Sequence, residues 1–410
     1  MSKRHTATML KSLATFIATA AVFGSALADE GTLKIGVIGP VTGKSSEDMG
    51  QSIIGGARVF IADINQMGGV LGKKIELIER DDQGKPDVGV ALAKELVEKQ
   101  KVVAVIGFAN TGVAIPAAKI FQQAHVPLII TGATGATVTK SFMPPAYPVS
   151  YVFRIAASDA LQPIVILNDV IDRRKLTKIA LLHDNTPYGE FGKQSMLAEL
   201  ARRNITPVTV ESFKLGDQDM TAQLQQAKDK GAQAIVMYCL GTEAAMVAKS
   251  AEKLKLKLPL LGPWGLSQQA FIDRSGASAE GARTAVTFIE NDLSSVSNQF
   301  SLAYRKINKV NRIPSAVAAA QTYDALRLLT LAMFQANSAE GPKIVTALEN
   351  LTQHTTSTVM SRYYKPFSPT DHEAVSLNMI IMGEIRDGKV AFAYKEDASS
   401  GSIARAKKPQ

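Results

Sequence analysis

Two short polar loops carry the chemistry this sequence offers. Asn110-Thr111-Gly112 follows the apolar run Val102 to Ile106 and Gly107. Gly132-Ala133-Thr134-Gly135 follows a second apolar run, Pro127 to Thr131. Hydroxyls, small residues and backbone N–H groups suit an anion, because they donate hydrogen bonds without presenting a fixed charge. The spacing reads as strand, loop, helix, strand, loop, and Thr111 can cap the intervening helix. In parallel α/β sheets, ligands bind at the C-terminal ends of strands. The unpaired N–H groups at a helix start favour negative charge there. The two loops are therefore expected to form half of a small-molecule pocket that holds a carboxylate.

Other chemistries fail on residue type or spacing. Gly39, Gly43, Lys44 and Ser45 approximate a phosphate loop, but the motif needs glycine where Ile38 stands. No G-x-G-x-x-G follows the first strand, so a dinucleotide site is unsupported. Gly276, Ser278 and Glu280 miss a nucleophile elbow at its last position. His183-Asp184 at a strand end could form a general-base pair. It reads better as a polar terminus with Asp184 capping the next turn, since no nucleophile is placed near it. Asp81-Asp82 supplies too few oxygens for calcium. No His/Cys cluster has metal-ligand spacing. Cys239 is the single cysteine, which precludes an internal disulfide, and it follows the apolar run Ala234 to Tyr238 as a packed thiol would. No enzyme activity, cofactor or metal is expected.

The loops need elements to position them. Strands and helices alternate from Leu33 onward. Leu33 to Ile38 is a strand, Met49 to Met67 a helix stopped by Gly68-Gly69, Lys74 to Glu79 a strand, and Pro86 to Gln100 a helix opened by proline. The order implies a parallel sheet with helices on both faces. Ser141 to Ser150 is too proline-rich for a helix, and Tyr151 to Ala156 is extended. A second series follows. Its helices are Gln162 to Arg173, Tyr188 to Arg203, Thr221 to Lys230 and Thr242 to Leu254. Its strands are Lys178 to His183, Thr206 to Phe213, Ala234 to Tyr238, Pro259 to Leu261 and Arg283 to Ile289. Three helices come next, Ser294 to Lys309, Ala316 to Gln335 and Lys343 to Leu351. A hairpin, Leu377 to Ile385 and Lys389 to Tyr394, turns at Asp387-Gly388.

The 410 residues are 46% hydrophobic and 20% charged, enough for two or three folded domains. Residues 1–28 have the form of a secretory signal. Lys3, Arg4 and Lys11 precede the apolar stretch Ser12 to Gly24, and Ala26-Leu27-Ala28 is a small-x-small cleavage site. The apolar stretch is shorter than the ~20 residues a membrane span needs. The segment carries three basic and no acidic residues, so its removal lowers the net charge from +9 to +6. Arg405, Lys407 and Lys408 supply half of the remainder from a tail expected to be solvated. No aromatic-interleaved basic patch suggests nucleic acid.

In sequence order, IGVIGPVTG (35–43), GGVLGKKIELIERDDQGKP (68–86), VIG (105–107) and GATGATVT (132–139) are followed by FRIAASD (153–159), LLHDNTPYGE (181–190) and LLGPWG (260–265). With these segments the chain resembles the type I periplasmic binding proteins, and among them the leucine/isoleucine/valine-binding receptors of ABC transporters. That resemblance implies two doubly wound α/β lobes joined by a three-strand hinge, with a ligand cleft between them. It implies an N-terminal lobe of 29–154 and 290–360, a C-terminal lobe of 155–289 and 361–395, and a basic tail of 396–410. It implies a periplasmic monomer that closes on a ligand by hinge bending and docks on a membrane permease.

By position, the resemblance gives Thr111 and Thr134 to the ligand carboxylate, with Ala109, Gly132 and Ala133 beside them. Asp159 matches a position that helps hold an ammonium, and Tyr188 a pocket wall. Two departures bear on the ligand. Trp264 stands where amino-acid binders carry a glutamate that pairs with the α-ammonium, and Met49 where a pocket aromatic is common. Asp159 favours an apolar amino acid such as a branched-chain one. Trp264 favours an aromatic or aliphatic acid without an ammonium. A sensor for a membrane kinase or chemoreceptor would use the same fold.

Overall fold

The computed structural model describes residues 31–43, 46–290, 295–352, 358–399 and 407. The signal segment with its Ala28 cleavage point, Lys44-Ser45, Arg405 and Lys408 lie outside them.

Five strands form the first sheet: Leu33–Gly39 (β1), Ile75–Asp81 (β2), Ala104–Gly107 (β3), Leu128–Ile130 (β4) and Val152–Arg154 (β5). They run parallel in the order β2-β1-β3-β4-β5. Ile35, Val37, Val105 and Ile106 are fully enclosed, as strands between two helix layers require. Those layers include Glu47–Gln66 (α1), Pro86–Glu95 (α2), Thr111–Gln123 (α3) and the short Thr137–Lys140 (α4). The register pairs Ile38 with Gly107 and Gly107 with Ile130. The loops after β1, β3 and β4 therefore leave one edge side by side.

Seven strands form the second sheet: Ile179–Asp184 (β6), Thr209–Phe213 (β7), Ala234–Tyr238 (β8), Leu260–Pro263 (β9), Arg283–Val286 (β10), Ile381–Arg386 (β11) and Lys389–Phe392 (β12). Their order is β12-β11-β10-β9-β8-β6-β7. The hairpin β11–β12 adds antiparallel to a parallel run. Its helices are Gln162–Leu167 (α5), Pro187–Arg202 (α6), Thr221–Asp229 (α7), Gly241–Lys253 (α8) and Gln269–Ser275 (α9). The two sheets are the two α/β lobes the resemblance implies.

The last helices, Ser295–Asn308 (α10), Ala316–Ala336 (α11) and Gly341–Glu349 (α12), complete the first lobe's surface. The alanine-rich start of α11 lies so close to α1 that a side chain on Gly56 would meet the Ala319 carbonyl oxygen at 2.4 Å. Buried Asp324 of α11 accepts N–H groups from Val359 at 2.6 Å and Met360 at 2.8 Å, tying the late segment to this lobe. Burial pushes its carboxyl up to about 7 despite those donors.

The chain crosses from the first sheet after β5. There the Arg154 guanidinium is fully enclosed and grips both Glu373 oxygens at 2.7 and 2.8 Å. It also donates to the Gly135 carbonyl at 2.8 Å.

Several expectations shift in detail. The strand predicted over Pro259 to Leu261 lies at Leu260–Pro263. A 3-10 turn, Trp264–Ser267, and α9 follow it, both too short for periodicity to reveal. Arg283 to Ile289 pairs only to Val286, and Leu377–Met379 is a 3-10 turn ahead of β11. The start of the predicted tail falls in a short helix, Lys395–Ser399 (α13). Lys407 is not solvated. Its ammonium is held by Asp371 at 2.6 Å and the Pro366 carbonyl at 2.7 Å.

Candidate functional site

A narrow cavity lies between the strand-end loops of the two lobes. The first lobe contributes Met49 from α1, Ala109 and Asn110 from the β3–α3 loop, and Gly132 and Thr134 from the β4–α4 loop. The second contributes Tyr188 at the start of α6, Cys239 and Leu240 between β8 and α8, and Trp264, Gly265 and Gln268 after β9.

The first-lobe loops fit together through two backbone constraints. Gly107 has φ of +140°, and a side chain there would lie 2.1 Å from the Ile38 carbonyl oxygen. Gly132 sits against Ala109, where a Cβ would approach the Ala109 Cα at 2.7 Å. The loops cross at the backbone level, and the Thr111 hydroxyl oxygen joins them by accepting the Gly135 N–H at 3.2 Å. The N–H groups of Thr111, Gly112 and Thr134 find no protein acceptor among the described residues. Those of Thr111 and Gly112 belong to the first turn of a 13-residue helix, where the dipole adds positive potential.

Six of the expected residues meet at the cavity: Met49, Ala109, Gly132, Thr134, Tyr188 and Trp264. Three do not line it. Thr111 faces Gly135. Ala133 is packed in the core beside Phe108, whose carbonyl accepts its N–H at 2.9 Å. Asp159 lies behind Thr134, fully enclosed. Its carboxylate accepts the Thr134 hydroxyl at 3.1 Å, the Gln162 amide at 3.2 Å and the Tyr238 hydroxyl at 3.2 Å. Burial pushes Asp159 up to about 7, while Arg154, Thr134 and Tyr238 pull it back.

Asn110, Cys239, Leu240, Gly265 and Gln268 line the cavity as well, and were not among the expected ligand contacts. Leu240 precedes the start of α8 as Asn110 precedes α3, a strand-end signal the sequence does carry. Gln268 has no such signal, because the turn that presents it is invisible to periodicity.

Around the second-lobe wall, Tyr188 packs tilted on Tyr238, with ring centroids 5.6 Å apart. Burial and the Asp159 charge hold the Tyr188 phenol well above its ordinary value. The Cys239 thiol is also pushed well up, by burial and by the Asp184 and Glu243 charges, so it stays protonated and poorly nucleophilic. Trp264 is 3% exposed, and its backbone N–H is fixed by Gln162 at 3.1 Å. His183 and Asp184 do not form a catalytic pair. Asp184 caps the α6 turn through Thr186 and accepts the Leu240 N–H at 3.0 Å.

The lobes touch across the cleft. Asp48 of α1 accepts the Ala270 N–H at 2.5 Å, Gln269 donates to the Pro314 carbonyl at 2.8 Å, and Arg312 pairs with Asp273 at 2.8 Å. Gly112 faces Pro187 so closely that a Cβ would meet its Cγ at 3.0 Å. The cavity is thus enclosed from both sides. No group of His, Cys, Asp and Glu among the described residues could hold a metal. No helix among them is long and apolar enough to cross a membrane.

Two doubly wound lobes facing each other across a cavity at their strand ends define the type I periplasmic binding fold. A family model described as "Periplasmic binding protein" matches residues 32–389. The Leu/Ile/Val-binding protein homolog 3 of Brucella melitensis is 27% identical over 372 residues, covering 88% of this chain and 98% of its own. The branched-chain amino acid transporter substrate-binding protein LivJ of Streptococcus pneumoniae, solved with isoleucine, aligns with a TM-score of 0.75 at 27% identity. It covers 88% of this chain and 98% of its own. A solute-binding protein of an ABC transporter from Rhodopseudomonas palustris, solved with 3,4-dihydroxybenzoic acid, aligns at 0.73 and 24% identity, covering 88% and 95%. The chain belongs to the periplasmic binding protein family. That family is periplasmic and binds solutes rather than transforming them.

Proposed function

We propose that this protein is the substrate-binding component of an ABC importer and holds a small carboxylate in the interlobe cavity. The observation that carries the proposal is the Thr134 N–H on the cavity wall, left without a protein acceptor, together with the equally open first-turn N–H groups of Thr111 and Gly112, which follow the wall residue Asn110. They form an anion seat at a helix start, with no lysine or arginine among the described residues of the cavity wall to bias it toward one acid. The ligands in the two solved relatives, isoleucine and 3,4-dihydroxybenzoic acid, share only a carboxyl group. The lobes, with boundaries near 29–154 plus 290–360 and 155–289 plus 361–395, close by bending at the crossings. The closed monomer then passes its ligand to a membrane permease, after export and cleavage behind Ala28.

Thermal unfolding in the presence of small acids tests this. A ligand at about a hundred times its dissociation constant adds about 2.7 kcal/mol. The matching primary amides should add almost nothing. Equal stabilisation by acid and amide would remove the anion seat from the account.

A further inference from the structure

Among the described residues the cavity wall carries no charged side chain, yet it is not apolar. Gln268 is 3% exposed and borders the cavity, and its side-chain amide makes no hydrogen bond among the described residues. An amide open to the cavity on both its oxygen and its nitrogen can donate to and accept from whatever fills it. The Gln268 oxygen hangs over the first residue of α8, 3.2 Å from where a Gly241 side chain would be. The Trp264 indole N–H and the Tyr188 hydroxyl also lack partners among the described residues.

Three helix starts, those of α3, α6 and α8, converge on this space, each presenting the positive end of its dipole. The nearby acids act on the wall from behind, and none of them lines the cavity. Asp159 and Asp184 are enclosed, and their oxygens accept Thr134, Gln162, Tyr238, Thr186 and Leu240. A ligand ammonium enclosed here would face positive helix ends and find no carboxylate to contact among the described wall residues.

We infer that the ligand is a cation-free acid bearing a second, uncharged oxygen function, a hydroxyl or carbonyl, and that Gln268 is the residue that selects it. The inference rests on the carboxylate-binding proposal above. A carbonyl or hydroxyl oxygen accepts from the Gln268 nitrogen and the Trp264 indole, and a hydroxyl can donate to the Gln268 oxygen. Neutral donors and acceptors discriminate well, because the wrong ligand leaves them unpaired.

The test is calorimetric binding of two matched series to the full mature chain. One is leucine, 2-hydroxy-4-methylpentanoate, 4-methyl-2-oxopentanoate and unsubstituted 4-methylpentanoate. The other is phenylalanine, phenyllactate, phenylpyruvate and 3-phenylpropanoate. In at least one series the hydroxy or oxo acid should bind about tenfold or more tighter than the amino acid. Gln268→Leu should erase most of its advantage over the unsubstituted acid. Gln268→Glu, of the same shape, should move the preference toward the amino acid. Tighter binding of the amino acid by the wild-type protein would overturn this inference and leave the carboxylate proposal standing. Failure of every acid to bind would overturn both. Unaltered ratios in Gln268→Leu would remove Gln268 from selection.

Discussion

Replacing Thr134 with valine keeps the shape of the side chain and deletes one hydroxyl. Thr134 lines the cavity, and its hydroxyl donates to Asp159 at 3.1 Å. A hydrogen bond to a charged group contributes ~1.5–3 kcal/mol. Two donors to Asp159 survive, from Gln162 and Tyr238. A carboxyl raised to about 7 can also take up a proton when a donor is lost. Both effects place the stability cost near the lower limit, at about 1–2 kcal/mol. When Asp159 is protonated, the hydroxyl can accept from that carboxyl and turn its one hydrogen to a bound carboxylate, a donor whose loss weakens affinity by about tenfold. Urea unfolding at unchanged slope reads the first effect and calorimetry the second. The same change in an Asp159→Asn background separates them: the stability cost should shrink while the affinity cost persists. Unchanged affinity in Thr134→Val would refute the role given to this residue. An affinity cost that disappears with Asp159→Asn would show that Thr134 acts only by holding Asp159.

Other predictions follow from the buried charges and the cavity wall. Asp159 and Asp324 are raised to about 7, and Asp82 to about 6, all by burial. Between pH 5 and 7.5 the native state then binds protons that the unfolded chain, with carboxyls near 4, does not hold. Stability should fall as pH rises through that window, and Asp324→Asn should flatten the slope in urea titrations. Glu373→Gln leaves the enclosed Arg154 guanidinium without its counter-charge, which should cost about 3–5 kcal/mol in chemical unfolding. It should also loosen the Gly132–Gly135 loop, read as weakened binding, because Arg154 holds the Gly135 carbonyl. Cys239 is the single cysteine and lines the cavity, so bound ligand should slow its alkylation by iodoacetamide severalfold.

Legibility in the sequence followed the range of the forces involved. The parallel strands were readable because runs such as Ala234–Tyr238 are buried on both faces and so continuously apolar. The anion-seat loops were readable because strand-end polarity and helix starts are local. The fine geometry was not. Thr111 has the right type and place, yet its oxygen faces the neighbouring loop, a choice made by tertiary packing against Gly135. Asp159 is adjacent to the pocket in every local sense, but Tyr238, 79 residues away, helps enclose it. Gln268 was missed because a four-residue turn and a seven-residue helix leave no periodic trace. Lys407, placed by composition in a solvated tail, is held by Asp371, a partner that composition cannot identify.

The central claim is that a carboxylate between the lobes is what this protein binds. Trp264 is the chain's single tryptophan, nearly fully enclosed and on the cavity wall, so its fluorescence reports the site alone. Titrating the protein with small hydroxy, oxo and aromatic acids, each beside its primary amide, should give a saturable change with one or more acids and none with the paired amides. Equal responses to acid and amide, or a ligand that stabilises the protein while leaving Trp264 silent, would contradict the account.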